Sequence, residues 1–333
     1  DEPPGGELTA SSIAASTWTL YASGSTLYLT QPGWVRNWLR DGQPEMTTII
    51  HALDIDPDGE QPVSYAAVGE VPGFTFDQFA LSEHDGYLRV ATQDGWWFGD
   101  EGSRVTVLAR ARDHLYEVGS VSGIAPGERL YAVRFLDDVG YAVTFEQIDP
   151  LFTIDLSDPT APEVVGELEV TGFSSYLHPV DGDQLLALGL EIDPEENTIE
   201  GLAVSWFDVS DMGASTLFDR LVFDSDDWSW SEALYDHHAI TYHRDVLSFP
   251  RYRWSAQQGY ETSLAVVDAV PGQPLLHLGD VRHDDIGPPG AYNRVRRSVV
   301  IEDWLFSISD AGIKVTPLRN PDNTVATVEF SQE

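Results

Sequence analysis

Ala265-Val-Val-Asp268 runs into a short polar turn and returns as Leu278-Gly-Asp-Val281. An apolar, β-branched run that reaches an aspartate, turns, and comes back through a glycine reads as a β-hairpin. The same segment recurs along the chain. His51-Ala-Leu-Asp54 returns to Ala67-Val-Gly-Glu-Val71, and Val105-Thr-Val-Leu108 to Glu117-Val-Gly-Ser-Val121. Phe152-Thr-Ile-Asp155 returns to Val165-Gly-Glu-Leu168, and Ser205-Trp-Phe-Asp208 to Asp219-Arg-Leu-Val222. The last copy is Gly312-Ile-Lys-Val315 with Ala326-Thr-Val-Glu329. A repeat of roughly 45–55 residues made only of strands predicts stacked four-stranded blades, an all-β propeller. We count six blades in this sequence.

Upstream of each hairpin lies a second signal. Ser23-Gly24, Asp85-Gly86, Asp137-Asp138, Asp181-Gly182, Arg244-Asp245 and Glu302-Asp303 are tight-turn dipeptides, each followed at once by a strand-like run such as Tyr87-Leu-Arg-Val90 or Trp304-Leu-Phe-Ser-Ile308. Each blade therefore reads as strand, turn, strand, variable loop, hairpin. The spacing predicts an extended arm over residues 1–15 and one propeller domain over 16–333. Long excursions are expected at Trp34 to Met46, Gln93 to Ser103, Leu190 to Ile199, Asp224 to Ser231, Arg251 to Tyr260 and Arg282 to Ala291. Loops on a rigid scaffold are where function usually sits.

Composition narrows the partners. The 333 residues carry 55 acidic and 18 basic side chains, a formal net charge of −37. Such a surface repels nucleic acid and anionic lipid, and suits divalent cations, cationic partners or solubility in salt. No run approaches the roughly 20 apolar residues of a membrane helix, so membrane insertion is not expected. The absence of cysteine excludes disulfides and thiolate chemistry within these residues. It fits a secreted or periplasmic protein.

Several stretches carry a resemblance: Gly69-Glu-Val-Pro-Gly73, Gln78-Phe-Ala-Leu-Ser-Glu-His-Asp-Gly-Tyr-Leu-Arg-Val-Ala-Thr92, Tyr131-Ala-Val-Arg-Phe135, Asp149-Pro-Leu-Phe-Thr-Ile-Asp-Leu-Ser-Asp-Pro159, Gly172-Phe-Ser-Ser-Tyr-Leu-His-Pro179 and Ser231-Glu-Ala-Leu-Tyr-Asp-His-His-Ala239. In these the chain resembles the bacterial secreted β-propeller domain family distantly related to WD40 repeats. The resemblance implies a secreted, periplasmic or cell-surface propeller and no general biochemical activity. Members of that family usually carry a long region upstream of the point where this sequence begins. Such a region, on the chain or as a separate N-terminal fragment, would raise the blade count to about seven or eight.

Four constellations could carry chemistry. His178 and the pair His237-His238 fall on the first strands of neighbouring blades. Imidazoles converging there could hold copper or zinc, with His51, His84 or Asp236 completing the set. Strand alternation would aim His237 and His238 at opposite faces. The same histidines with an open coordination position would make a metalloenzyme. Asp54, Asp56 and Asp58, spaced by two before a turn glycine, are calcium candidates, although Tyr65 stands where an EF-hand loop needs a bidentate carboxylate. Asp224-Ser-Asp226-Asp227 and Asp193-Pro-Glu195-Glu196 are further acidic loops. Arg294, Arg296 and Arg297, with Arg134 across the channel, could bind a carboxylate or phosphate, or neutralise acids of adjacent blades. Trp96-Trp97-Phe98, Trp228 with Trp230, and Tyr252 with Trp254 could form a protein or carbohydrate contact surface. No nucleophile-elbow or phosphate-loop spacing is present. The leading expectation is a non-catalytic binding or scaffold module with a metal ion held by histidines at the central channel. A metal-free interaction module is the other non-enzymatic reading.

Overall fold

The computed structural model describes residues 13, 15–36, 44–59, 61–93, 102–145, 149–181, 183–193, 195–196, 198–224, 228–255, 259–287 and 293–330. Six strand groups follow one another. The first is β1 (Thr19–Ala22), β2 (Thr26–Arg36), β3 (Pro44–Ile55) and β4 (Val63–Pro72). The second is β5 (Leu81–His84), β6 (Tyr87–Gln93), β7 (Ser103–Ala111) and β8 (His114–Ile124). The third is β9 (Arg129–Leu136), β10 (Val139–Phe145), β11 (Asp149–Asp155) and β12 (Glu163–Val170). The fourth is β13 (Phe173–Val180), β14 (Gln184–Asp193), β15 (Thr198–Asp208) and β16 (Thr216–Asp224). The fifth holds β17 (Trp228–Trp230), β18 (Thr241–His243), β19 (Val246–Ser255), β20 (Gly259–Asp268) and β21 (Leu276–Arg282). The sixth is β22 (Val295–Ile301), β23 (Trp304–Ser309), β24 (Gly312–Pro317) and β25 (Ala326–Glu329). Each is an antiparallel meander in chain order, except that in the fifth both β17 and β18 pair with β19. A single parallel bridge, Val68 to His114, joins the outer strands of the first two into one eight-stranded sheet. No α-helix occurs among the described residues, only three short 3-10 turns.

The hairpins read from sequence are the third and fourth strands of each group, with Val204 opposite Leu221, Ala265 opposite Asp280 and Ile313 opposite Val328. The turn dipeptides join first to second strands. Asp85, Asp137, Asp181, Arg244, Asp245 and Glu302 all adopt positive φ there, the left-handed conformation a two-residue hairpin turn demands. The recurring Val-Gly has a steric cause. A Cβ at Gly119 would lie 2.5 Å from the carbonyl oxygen of Pro159, in the turn between β11 and β12 of the next group. A Cβ at Gly279 would meet Pro321 and Asp322, in the turn between β24 and β25. The glycine makes room for the neighbouring blade's hairpin turn.

The chain gathers into two compact units. One is Asp1–Glu146 with Phe152–Gly166, the other Gln147–Leu151 with Glu167–Glu333. The first unit's core centres on Ile50, Ala52, Val90, Val105, Val107 and Ile154. In the second, Leu188, Leu202, Val204, Trp206, Phe249 and Ala265 pack together. Leu185–Ile192 and Gly201–Phe207 are buried without interruption. A strand with covered faces on both sides reads as a continuous apolar run rather than an alternation.

Three expected loops are instead largely strand. β2 runs on to Arg36 and β3 starts at Pro44; β14 and β15 extend to Asp193 and from Thr198; β19 and β20 extend to Ser255 and from Gly259. Cross-strand pairs such as Trp254 with Tyr260 carry the ladder past the core. Residues 1–12 and 14 of the expected arm, and Trp96, Trp97 and Phe98, lie outside the described residues.

Candidate functional site

The fifth sheet is the elaborated one. Its extra strand β17 pairs with the far end of β19, placing Trp228 opposite Trp254 and Trp230 opposite Tyr252. The period of two in Trp228-Ser-Trp230 and Tyr252-Arg-Trp254 puts these rings on one face. Trp228 stacks on Trp230 at 6.4 Å between centroids, Trp230 meets Tyr252 at 5.0 Å and Tyr235 at 5.3 Å, and Trp254 meets Tyr260 at 6.5 Å. Tyr252 is buried, and its hydroxyl donates to the Val295 carbonyl at 2.6 Å. Tyr235 and Tyr260 are two-thirds exposed, and Trp228 and Trp254 are also exposed. The ladder thus has a buried root and an exposed end. Tyr235 and Tyr260 were not anticipated; in-register pairing across β19 and β20 is the signal that would have found Tyr260.

Between β17 and β18 the chain makes two 3-10 turns. Ser231 caps the first (Glu232–Leu234) and Asp236 the second (His237–Ala239), its Oδ1 accepting the His238 N–H at 3.0 Å. His237 and His238 are therefore on a turn, not on a strand. Their rings lie on the same side, 3.9 Å apart, rather than on opposite faces. His238 Nδ1 is 3.0 Å from Asp236 Oδ1. Ligand atoms of Asp236, His237 and His238 all lie within 4.8 Å of one another, the one such gathering of three or more found among the described residues. Burial alone would raise the Asp236 carboxyl, but the His238 N–H, the His238 ring and Arg297 hold it below its ordinary value.

The arginines face acids. Arg297 bonds Asp236 Oδ2 at 2.6 Å. Arg296 pairs with Glu232 at 3.2 Å and with Asp310 at 3.0 Å, and Arg294 lies 3.7 Å from Asp310. Arg296 thus reaches an acid of the adjacent sheet and one of its own, and Arg294 one of its own. The counterions Glu232 and Asp310 were not anticipated, because nothing in the sequence around them names a partner so distant.

The remaining candidates are dispersed. His178, on β13, is outside the gathering; its Nδ1 meets the Tyr176 hydroxyl at 3.2 Å and its ring packs on Tyr242 at 5.2 Å. His51 Nδ1 meets the Tyr65 hydroxyl at 2.9 Å, and His84 Nε2 lies 3.5 Å from Asp138. Asp54 pairs with Arg110 at 2.5 Å, while Asp56 and Asp58 sit in an exposed turn closed by the Gly59 N–H on the Asp56 carbonyl. These three carboxylates do not form a ligand group. Asp193 caps its own loop through the Glu195 and Glu196 amides. Asp226 and Asp227 lie outside the described residues. Arg134 stacks 3.7 Å above the Phe79 ring and lines a cavity of about 450 Å³ with Tyr21, Gln78, Ser82 and Phe135. Beside it, burial pushes the Asp77 carboxyl up to about 6, against the pull of the Phe79 and Ala80 amides and Arg134.

Sheets of four antiparallel strands following one another along the chain define a β-propeller. The profile of the β-propeller domain family matches residues 3–320, and the chain belongs to that family. It is 34% identical over 250 residues to an uncharacterised protein of Archaeoglobus fulgidus, covering 74% of this chain and 34% of that protein. It is 38% identical over 173 residues to the uncharacterised protein MJ1554 of Methanocaldococcus jannaschii, covering 52% of this chain and 26% of that one. The chain thus spans about a third or less of these curated relatives. Both are archaeal, which gives no support to the expected bacterial origin. Sqt1 from Chaetomium thermophilum superposes with a TM-score of 0.53 at 14% identity, covering 96% of this chain and 75% of that one, a likeness of fold alone. No helix among the described residues is long and apolar enough to cross a membrane.

Proposed function

We propose that this β-propeller is a non-catalytic binding scaffold that holds a divalent transition metal, zinc or copper, on its fifth blade through Asp236, His237 and His238. The observation that carries the reading is the gathering of one carboxylate and two imidazoles within 4.8 Å on a capped turn. These donors suit zinc or copper. Asp236 Oδ2 is held by Arg297, so Oδ1 is the oxygen left to coordinate, and the metal would replace the proton shared with His238. Metal binding then releases the ring proton, so it weakens as the pH falls. Three protein donors leave a fourth position, and a partner's side chain there would join scaffold to ligand. Exchange of that position with substrate would instead make the site catalytic. We also place the protein outside the cytoplasm, as the family resemblance implies; fractionation of the native cells tests this.

The test is calorimetric titration of chelator-treated protein with Zn²⁺ and Cu²⁺. One site per chain is expected. His237→Ala and His238→Ala should each weaken it at least about tenfold, the usual effect of losing a ligand contact. His178→Ala should leave it unchanged. An unaltered isotherm in both pair variants would refute the assignment.

A second reading has its own observation. Trp228, Tyr235, Trp254 and Tyr260 expose an aromatic surface beside the Glu232–Arg296–Asp310 network. Aromatic rings with charged neighbours are the composition of interface centres. In this reading the fifth blade grips a protein partner with or without metal.

A further inference from the structure

The first compact unit holds a cavity that the fifth sheet and its histidines do not account for. Three successive sheets wall it. Leu20 and Tyr21 come from β1, Ser82 from β5, and Arg134 with Phe135 from β9; Gln78 and Phe79 come from the 3-10 turn Gln78–Ala80. All of these residues belong to that one unit. The volume, about 450 Å³, lies within the roughly 300–1,000 Å³ of small-molecule sites.

The walls are held by contacts of their own. Asp77 Oδ1 accepts the Phe79 N–H at 2.8 Å and the Ala80 N–H at 3.0 Å. An aspartate that takes two amides favours a turn over a continued strand. The turn carries Phe79 to β9, where the Arg134 guanidinium sits 3.7 Å above its ring. A guanidinium held over a ring keeps its charge and has already lost side-chain freedom, so less is lost when it grips a ligand. The Tyr21 hydroxyl accepts the Glu83 N–H at 2.9 Å, and its ring stacks on Tyr28 at 5.9 Å. Ser82 Oγ accepts from Arg89 at 2.7 Å, which leaves its own proton to donate. A cavity with walls fixed in this way binds without first having to order itself.

The lining also selects a chemistry. The fork of Arg134 matches a carboxylate, which it can hold through two parallel bonds. The rings of Tyr21, Phe79 and Phe135 suit a flat apolar body. The net charge of −37 does not overrule the guanidinium, because at physiological salt charges more than about 8 Å away are largely screened. We propose that this cavity binds a small organic carboxylate with a flat apolar body, the carboxylate on Arg134 and the body against Tyr21, Phe79 and Phe135. The site shares no residue with the metal-binding reading and stands without it.

The test is ligand-observed magnetic resonance on the intact protein. The probes are benzoate, 2-naphthoate and indole-3-acetate, each beside its primary amide. At least one carboxylate should bind with a Kd below about 1 mM and at least about tenfold tighter than its amide, the usual gain from a hydrogen bond to a charged partner. Arg134→Gln should bring that carboxylate down to the level of the amide while the thermal transition persists, and His237→Ala should leave its binding unchanged. The comparison of acid with amide needs no variant, so it holds even if Arg134→Gln does not fold. Equal binding of acids and amides, or no binding of any probe at 10 mM or so, would overturn the proposal. Inorganic phosphate competing as well as the best carboxylate would also overturn it, since the rings would then contribute nothing.

Discussion

The fifth and sixth sheets are neighbours that expose apolar side chains in opposite ways. The fifth buries both faces of β20 and exposes aromatics only at its far end, where they alternate with Arg253 and Glu261 and sit above a charged network. The sixth exposes aliphatic rows in the middle of the sheet, with few charges among them, and hides serines and threonines. The first pattern is compatible with water and leaves the surface available to a partner that comes and goes. The second has the composition of a core or an interface. Exposure alone does not distinguish a binding face from an unfinished core; what lies between the apolar side chains does.

The largest expected effect tests the finished core. Phe249→Ala, fully buried opposite Ala265 and against the Phe223 ring, should cost about 3–5 kcal/mol in denaturant unfolding. A loss below about 1 kcal/mol would mean the fifth sheet is not the closed one. Next comes the junction of the two sheets. His283 is fully buried, its Nε2 2.8 Å from Ser307 Oγ, and burial together with Lys314 lowers its pKa to about 4. A histidine kept neutral in the fold stabilises above its unfolded value of about 6.5, and that contribution is lost as pH falls towards 4. Unfolding free energies at pH 7 and pH 4 should differ by about 3 kcal/mol more in the wild type than in His283→Gln. Equal differences would place His283 in water.

Smaller effects sharpen the contrast. Thr316 Oγ1 is buried with no hydrogen-bond partner among the described residues. Thr316→Val keeps the shape and removes the stranded hydroxyl, so chemical denaturation should show a gain of about 1 kcal/mol. A loss would reveal a bridging water on that face. Smallest is Trp254→Ala at the exposed end of the aromatic ladder, expected to change stability by less than about 1 kcal/mol. A cost approaching that of Phe249→Ala would make the ladder core rather than surface.

The architecture was legible because it rests on short-range chemistry. Turn dipeptides that tolerate positive φ, and apolar runs ending at Gly119 or Gly279, are local features repeated often enough to be counted. The lengths of the hairpins were not legible: polar stretches such as Leu190 to Ile199 look like loops although Glu191 and Ile192 are paired and buried in the ladder. The site was half legible. His237, His238 and Asp236 were singled out, but as strand residues joined by His178. The cap that folds them into a turn is set by one Asp side chain accepting a backbone amide, a competition with strand pairing that alternation does not report. Which face of the sixth sheet would be covered could not be read at all, since Ser307 and Ile308 alternate in either orientation.

The account stands or falls on the gathering at Asp236, His237 and His238. Metal content per chain, measured by mass spectrometry on protein purified without a histidine tag or chelator, tests it most directly. The account predicts close to one zinc or copper per chain, lost in the His237→Ala, His238→Ala double variant while the thermal transition persists. Protein that neither carries a transition metal nor takes one up on titration would contradict it.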